Sequence, residues 1–495
     1  MNGSIIRYII GYVLKIEGLL LLLPCLTALI YREAEGWKYL LVAALCFGLG
    51  FLFNIRKPKS NVFYLKEGCV ATSLSWIVLS VFGCLPMCLT GEIPSFVDSL
   101  FETVSGFTTT GASILPQVEN LSHCTLLWRC FTHWVGGMGV LVFLLAVVPL
   151  SGGSHINLMR AESPGPSVGK LVPKIRASAR ILYFIYFGIT ALEIILLMLG
   201  HMTLFEAANT AFGTAGTGGF GIKNDSFASF SPYLQWVVTI FMILFGVNFN
   251  AYYLILYRKF RKALLIEEIR YYFLIIGLAT AFITVSLIRS SVGAFDALTQ
   301  AAFQVGSIIT TTGFSTVDFD TWSQSCRAIL VLLMFIGACA GSTGGGIKVS
   351  RIVVMAKTVK KELNSFIHPK SIKKIRIDGS PIEHEVLRSI NVYLITYIVL
   401  FIISVFLITL EGHDLVTDFT AVAATYNNIG PGLAMVGPVR NFGFFSDFSK
   451  CVLIFDMLAG RLELFPLLIL FHPVLWKEVI AQKKKSRTWY RGSDR

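Results

Sequence analysis

Four short windows in this 495-residue chain end alike: Ser105-Gly-Phe-Thr-Thr-Thr-Gly111, Gly213-Thr-Ala-Gly-Thr-Gly-Gly219, Ser307-Ile-Ile-Thr-Thr-Thr-Gly313 and Ala424-Thr-Tyr-Asn-Asn-Ile-Gly430. The first and third are close copies; the second and fourth are degenerate but keep the terminal glycine. No nucleophile stands at a workable spacing from a base in them, so what they offer is main-chain oxygen. Rings of backbone carbonyls can replace the water shell of a cation. A glycine with access to positive φ lets successive carbonyls point the same way, and threonines flank them. One Thr-Thr-Gly is an ordinary turn. Four in register between paired apolar spans are more than packing requires. Before each window lies a short amphipathic stretch, such as Phe96–Ser105 or Leu204–Phe212. Each suits a half-helix whose C-terminal, partly negative end favours a cation on the axis.

A second group of residues could govern passage. Ala328–Ala340 is apolar, but Gly341-Ser342-Thr343-Gly344-Gly345-Gly346 follows, then Ile347 and Lys348. Glycine costs about 1 kcal/mol relative to alanine in a helix, so this run does not hold a lipid-facing helix. Irregular backbone at membrane depth belongs against protein or a water-filled cavity. The run reads as a flexible loop beneath the four windows, the alternative being a simple helix break at the cytoplasmic boundary. Arg461 lies inside the last apolar span, where a buried arginine costs at least about 2.5 kcal/mol. It either pairs with Asp456 or Glu463, or holds its charge near the axis as a barrier; Lys348 could act similarly.

Two decoys fail. Gly216-Thr-Gly218-Gly-Phe-Gly221 satisfies GxGxxG, but no βαβ unit surrounds it. The 341–348 run lacks the Gly-Lys-Ser/Thr step of a phosphate loop, because Ile347 separates Gly346 from Lys348. No nucleotide site is expected in this chain. A rival class, an intramembrane enzyme using Ser113, His123, His133 or Asp456, has no supporting spacing. His133 reads as a helix-packing or interfacial residue.

The elements that must position these residues are membrane helices. The chain is 55% hydrophobic and only 14% charged, where soluble domains carry about 25% charged residues. That excludes a secreted domain, a cytosolic enzyme and a disordered scaffold. Ten apolar windows, from Ile5–Ile30 to Cys451–Leu475, reach the length needed to cross a bilayer. Basic clusters fall in every second connection: Arg56, Lys57, Lys59 and Lys66; Arg160, Lys170, Lys174, Arg176 and Arg180; Arg258 to Lys262; Lys357 to Arg376; and the tail from Lys483. They account for the net charge of +13 and place these connections and both termini in the cytoplasm. The ten cysteines form no CxxC pair; Cys124, Cys130 and Cys326 lie near an outer loop where a disulfide stays open.

The reading is an all-α polytopic membrane protein, with two N-terminal transmembrane helices and four span–pore-loop–span repeats around a pseudo-fourfold pore. The units run 1–66 for the preamble, then 67–177, 178–268, 269–386 with a broken second span, and 387–480. A basic tail, 481–495, closes the chain.

These repeats resemble the Trk/Ktr/HKT superfamily of potassium transporters, and the two-span preamble is similar to the Trk-type branch. The resemblance covers essentially the whole chain. It implies potassium uptake across a bacterial cytoplasmic membrane, with K+ as the transported ion. It places the filter at Thr109, Thr110 and Gly111; Thr217, Gly218 and Gly219; Thr311, Thr312 and Gly313; and Asn428, Ile429 and Gly430. Four glycines imply potassium selectivity, since serine at the first position goes with sodium permeation in related plant transporters. The fourth window departs from a Thr-rich filter at Asn427, Asn428 and Pro431. The resemblance also implies that 341–346 is an intramembrane gate and that Arg461 is a barrier below the filter. Two partners follow from it alone: a second copy in a homodimer and a cytoplasmic nucleotide-binding regulatory ring. The remaining alternative of the same class is a sodium-permeable or poorly selective cation transporter.

Overall fold

The apolar windows fold as helices, and the polar breaks between them set where each helix stops. A computed structural model describes residues 2–58, 64–139, 175–370, 374–475 and 477. Lys59, the end of the fourth span, Arg160, Lys170, Lys174, Lys373 and the basic tail lie outside the described residues.

The preamble comprises α1 (Gly3–Leu20), α2 (Leu22–Tyr31) and α3 (Gly36–Asn54). Here α1 packs closely on α3 through small residues. A Cβ on Gly50 would sit 2.7 Å from the Gly11 carbonyl oxygen, the backbone proximity that glycine permits between membrane helices. Four repeats follow. The first has α4 (Leu65–Thr90), the half-helix α5 (Phe96–Phe107) and α6 (His123–Gly137). The second has α7 (Ile175–Leu199), the half-helix α8 (Leu204–Ala215), α9 (Pro232–Phe245), α10 (Phe249–Leu256) and α11 (Phe260–Leu264). The third has α12 (Glu267–Arg289), the half-helix α13 (Ala294–Ile309), α14 (Gln324–Ile336) and α15 (Val349–Ile367). The fourth has α16 (His384–Thr409), the half-helix α17 (Leu415–Tyr426), α18 (Asp447–Arg461) and α19 (Phe465–Leu468). A two-stranded hairpin, β1 (Arg376–Ile377) and β2 (Ser380–Pro381), lies between α15 and α16.

Among the described residues, six helices are long and apolar enough to cross a bilayer: the α1–α2 unit, α3, α4, α7, α12 and α16. Three of the remaining expected spans differ from the sequence reading. The sixth, Leu234–Leu256, is not continuous: α9 and α10 meet at 92° across Gly246–Asn248. Asn248 caps α10, its Oδ1 accepting the Asn250 N–H at 2.9 Å, so a helix stop and a helix start fall within three residues. In the eighth, the break begins at Gly337 (φ +72°) rather than Gly341. The tenth stops at Arg461, and Glu463 and Leu464 follow with φ of +51° and +70°.

Three of the four half-helices start on sequence-local side-chain caps, and α13 starts on Gly293 without one. Ser95 Oγ accepts the Asp98 N–H, Thr203 and Glu206 form a reciprocal capping box, and Asp414 accepts from Val416 N and Thr417 N at 3.0 Å. All ten cysteines are free thiols.

Candidate functional site

Each half-helix ends in the same way. Thr109 N donates to Gly106 O and Thr110 N to Ser105 O, at 3.1 and 2.8 Å. The same pair of bonds recurs at Thr217/Gly218, Thr311/Thr312 and Asn428/Ile429, at 2.8–3.1 Å. These are Schellman terminations, yet their left-handed residue is not glycine. Thr109, Thr217, Thr311 and Asn428 take φ of +57°, +53°, +59° and +57°. Such residues persist in this region only where surrounding structure over-determines them, at about 1–3 kcal/mol each. Two residues on, Gly111, Gly219, Gly313 and Gly430 also have positive φ, +78° to +98°.

The four glycines form a closed ring. A Cβ on Gly111 would lie 1.9 Å from Gly218 O, one on Gly219 2.0 Å from Thr312 O, and one on Gly313 2.0 Å from Ile429 O. One on Gly430 would lie 2.8 Å from Thr110 O. Loop one therefore abuts loop two, two abuts three, three abuts four, and four returns to one. Cyclic contact in chain order requires the loops to surround a common axis. Side chains tighten it unevenly. Thr108 and Thr110 hydroxyls pair at 2.8 Å, Thr310 and Thr312 at 2.7 Å, and Asn428 Nδ2 crosses to Thr110 Oγ1 at 2.9 Å. The sequence difference of the fourth window thus becomes an inter-loop bond.

Cavities flank the ring. On the glycine side, about 180 Å³ is lined by Gly111, Gly219, Gly313 and Gly430 together with Ser113 and Arg129. On the other side, about 160 Å³ is lined by Trp76, Phe249, Gly341, Gly344, Lys348 and Arg461 among others.

The 337–348 segment separates this second cavity from the ring. Gly345 N donates to Thr311 Oγ1 at 2.6 Å. A Cβ on Gly344 would come within 2.9 Å of Thr310 O, and one on Gly345 within 2.4 Å of Asn427 O. Lys348 Nζ donates to Gly344 O within the same segment. Thr343 Oγ1 bonds Phe245 O at 3.3 Å, and Ser342 Oγ donates to Cys339 O at 2.6 Å. Gly341 and Gly346 take φ of +70° and +73°. The segment therefore packs directly against the ring.

Arg461 reaches the same place from the fourth repeat. Its Nη1 donates to Thr343 O at 2.8 Å and to Thr109 Oγ1 at 3.2 Å, and its Nη2 to Gly136 O and, at 3.0 Å, to Gly137 O. The suggested carboxylate partners are used elsewhere: Glu463 pairs with Arg351, and Asp456 Oδ1 accepts the Ser404 hydroxyl at 2.6 Å. So the site gathers all twelve window residues, the glycine-rich segment, Lys348 and Arg461 around one axis.

The chain matches the family model described as "TrkH: Cation transport protein" over residues 39–478. It is 34% identical to the Trk system potassium uptake protein TrkH of Escherichia coli (strain K12), over 97% of this chain and 100% of that one. It is 31% identical to the Trk system potassium uptake protein TrkG of the same organism, over 96% and 100% of the two chains. The crystal structure of the potassium transporter TrkH from Vibrio parahaemolyticus superposes with a TM-score of 0.87, at 32% identity, over 96% of this chain and 100% of that one. The chain belongs to the TrkH family.

Within this TrkH-family fold, several residues that hold the ring were not singled out from sequence. Glu102, in the first half-helix, is fully buried and pairs with Arg129 at 2.6 Å. It also accepts from Ser113 Oγ and from Ile114 N, at 2.9 and 3.0 Å. The Arg129 guanidinium stacks over Phe220 at 4.2 Å, just past Gly219. His133, read as a packing residue, is a strut: Nδ1 meets Gly106 O at 2.8 Å and Nε2 accepts the Phe220 N–H at 3.1 Å. The signal available was the general one that ionisable groups inside membrane helices face protein partners. Ser113, His123, His133 and Asp456 are held in separate sets of contacts, with Glu102, Glu33, the first two loops and Ser404 respectively. The GxGxxG decoy is the second loop of the ring.

Proposed function

We propose that this chain is the pore subunit of a potassium-uptake system of the cytoplasmic membrane, and that K+ passes along the axis of the four-loop ring. The observation that carries the reading is the cyclic contact of Gly111, Gly219, Gly313 and Gly430 with the carbonyl oxygens of Gly218, Thr312, Ile429 and Thr110. Main-chain oxygens from four sides at one level are what a dehydrated monovalent cation needs. The C-terminal ends of four half-helices converge there and favour positive charge. Full-length similarity to potassium uptake proteins supports the choice of ion.

Thr109, Thr110 and Gly111 and their counterparts in loops two to four form the filter. Gly341–Gly346 with Lys348 is the gate, and Arg461 is a fixed positive barrier beneath the filter. The chain works as a transporter rather than an enzyme. Its units are the preamble 1–66, repeats 67–177, 178–268, 269–386 and 387–480, and a basic tail. The termini and the basic connections face the cytoplasm, where a nucleotide-binding regulatory ring docks; two copies of the chain associate in the membrane.

The test is potassium-limited growth of a host lacking its own uptake systems, with K+ and Na+ fluxes in liposomes holding the purified chain. Growth rescue and K+-selective flux are the expected results. Equal K+ and Na+ flux would replace this reading with a poorly selective cation transporter; no ion flux would end it.

A further inference from the structure

The glycine-rich segment is held from a side the filter does not touch. Glu268 sits in the first turn of α12, buried, with its carboxylate turned to the break in the third repeat. Its Oε1 accepts the Ala340 N–H at 2.6 Å and the Ser350 N–H at 3.1 Å. Those amides lie on the two stems of the segment, one before Gly341 and one in the first turn of α15. The other oxygen accepts Asn248 Nδ2 at 3.4 Å, and Asn248 caps the second half of the bent α9–α10 span.

The two breaks also bond to one another. Cys339 N donates to Gly246 O at 3.1 Å and Phe249 N to Gly341 O at 3.0 Å. One carboxylate thus ties together three ends of two interrupted helices. A carboxylate accepting several N–H groups makes charge-assisted bonds, and at the start of α15 it also meets the positive end of the helix dipole.

The same turn of α12 leads outward. Glu267 Oε1 pairs with Lys357 Nζ at 2.5 Å, and Glu267 N donates to Asp378 Oδ1 at 2.8 Å. Lys357 Nζ also donates to Arg376 O at 2.8 Å. Asp378 and Arg376 belong to the β1–β2 hairpin. Adjacent residues of one helical turn therefore touch the hairpin on one side and both stems of the segment on the other.

We propose that Glu268 is a positioning residue that latches the glycine-rich segment under the filter, and that the start of α12 transmits movement of the β1–β2 hairpin to this latch. The inference rests on the reading of 341–346 as a gate. Release of the carboxylate frees both stems together, whereas loss of one contact within the segment would free only one.

The test uses the full chain in liposomes and nanodiscs. Glu268→Gln keeps the shape and removes the charge. It should raise K+ flux without altering the K+/Na+ ratio, and speed amide exchange across 338–352 by about tenfold while the half-helices stay protected. Asp378→Ala, at the exposed hairpin, should move both readouts in the same direction by less. Wild-type flux and wild-type exchange at 338–352 in Glu268→Gln would overturn the latch. Should Glu268→Gln lose protection in the half-helices as well, Asp378→Ala decides: faster exchange at 338–352 supports the relay, and no change there overturns it. Deleting Gly344–Gly346 separates the two ideas. Altered flux in the deletion with wild-type behaviour in Glu268→Gln removes the latch and keeps the gate; wild-type flux in the deletion removes the gate itself.

Discussion

Replacing each ring glycine by alanine should damage selectivity in an order fixed by geometry. At Gly111, Gly219 and Gly313 the added Cβ would stand 1.9–2.0 Å from the next loop's carbonyl oxygen. Ordinary contact begins near 3.4 Å, so each oxygen must retreat by about 1.4 Å, far beyond the fit that a carbonyl cage tolerates. At Gly430 the nearest oxygen is 2.8 Å away, and a retreat of about 0.6 Å restores contact. All four positions also carry the cost of a non-glycine residue at positive φ, about 1–3 kcal/mol. That term is shared and does not set the order. Gly277 on α12 is the control, since nothing lies within 4 Å of its would-be Cβ. The assay is K+ and Na+ flux into liposomes with a thermal melt of the same preparation. Selectivity should fall steeply for Gly111→Ala, Gly219→Ala and Gly313→Ala, less for Gly430→Ala, and not at all for Gly277→Ala. Gly430→Ala as damaging as the other three, or Gly313→Ala as harmless as the control, would refute the reasoning.

Arg461→Ala removes bonds to Thr343 O, Thr109 Oγ1 and the end of α6, and should increase K+ flux; loss of folded protein without a gain in flux per molecule would make the arginine structural instead. His133→Ala leaves Gly106 O and the Phe220 N–H without their partner, and at about 1–3 kcal/mol for each buried group should lower the melting temperature by several degrees, read by a thermal melt of detergent-solubilised protein. Asp414, at the exposed start of α17, is held below its ordinary carboxylate range by the Thr417 hydroxyl and then by the Thr417 and Val416 amides. A depressed folded pKa gives stability that is complete above the unfolded value of 3.8 and is lost as pH falls through the folded one. Asp414→Ala, which removes a cap worth about 1 kcal/mol, should therefore melt below wild type at neutral pH and approach it under acid; a constant gap across pH would refute the assignment.

What could be read in the sequence was local. The four glycines, the half-helices from Phe96 and Leu204 and a glycine-rich interruption of the eighth span follow from propensity and repetition, and the fold agrees with them except that the interruption begins at Gly337, four residues early. The left-handed Thr109, Thr217 and Thr311 were not legible. Threonine has no preference for that region, and only the neighbouring loop holds it there. The bend in α9–α10 left a trace, Gly246-Val-Asn248, a helix stopper two residues from a good N-cap, but the surrounding apolar run masks it. Glu102, Arg129 and Glu268 escaped notice because their roles reside in partners distant along the chain. A carboxylate's sequence neighbours do not say whether its acceptors are met by an arginine on α6 or by backbone amides on α15.

The ring is nearly fourfold in its main chain, while the glycine-rich segment and Arg461 beneath it break that symmetry. The third repeat supplies the glycine-rich segment 341–346, which reaches the third and fourth loops through Thr311 and Asn427. Only the fourth repeat supplies Arg461, which reaches the first loop through Thr109 and closes on Thr343. A tetramer of identical subunits would have to present such a loop four times, and four segments each bonded to a loop of the ring as Gly345 N is to Thr311 Oγ1 would crowd one another on the axis. A single chain with diverged repeats escapes that constraint. Under the proposed function, it keeps the carbonyl ring, where symmetry would serve dehydration of a spherical ion, and places one glycine-rich segment and one charge where a single copy of each suffices. The degeneracy of loops two and four follows the same logic: Gly218 leaves room for His133, whose ring stands within 2.1–2.5 Å of where a side chain would begin, and Asn428 crosses to Thr110. At Gly218 a neighbouring repeat inserts a side chain and at Asn428 the loop itself reaches its neighbour, so both departures from Thr-Thr-Gly serve packing between loops while the backbone of the ring is retained.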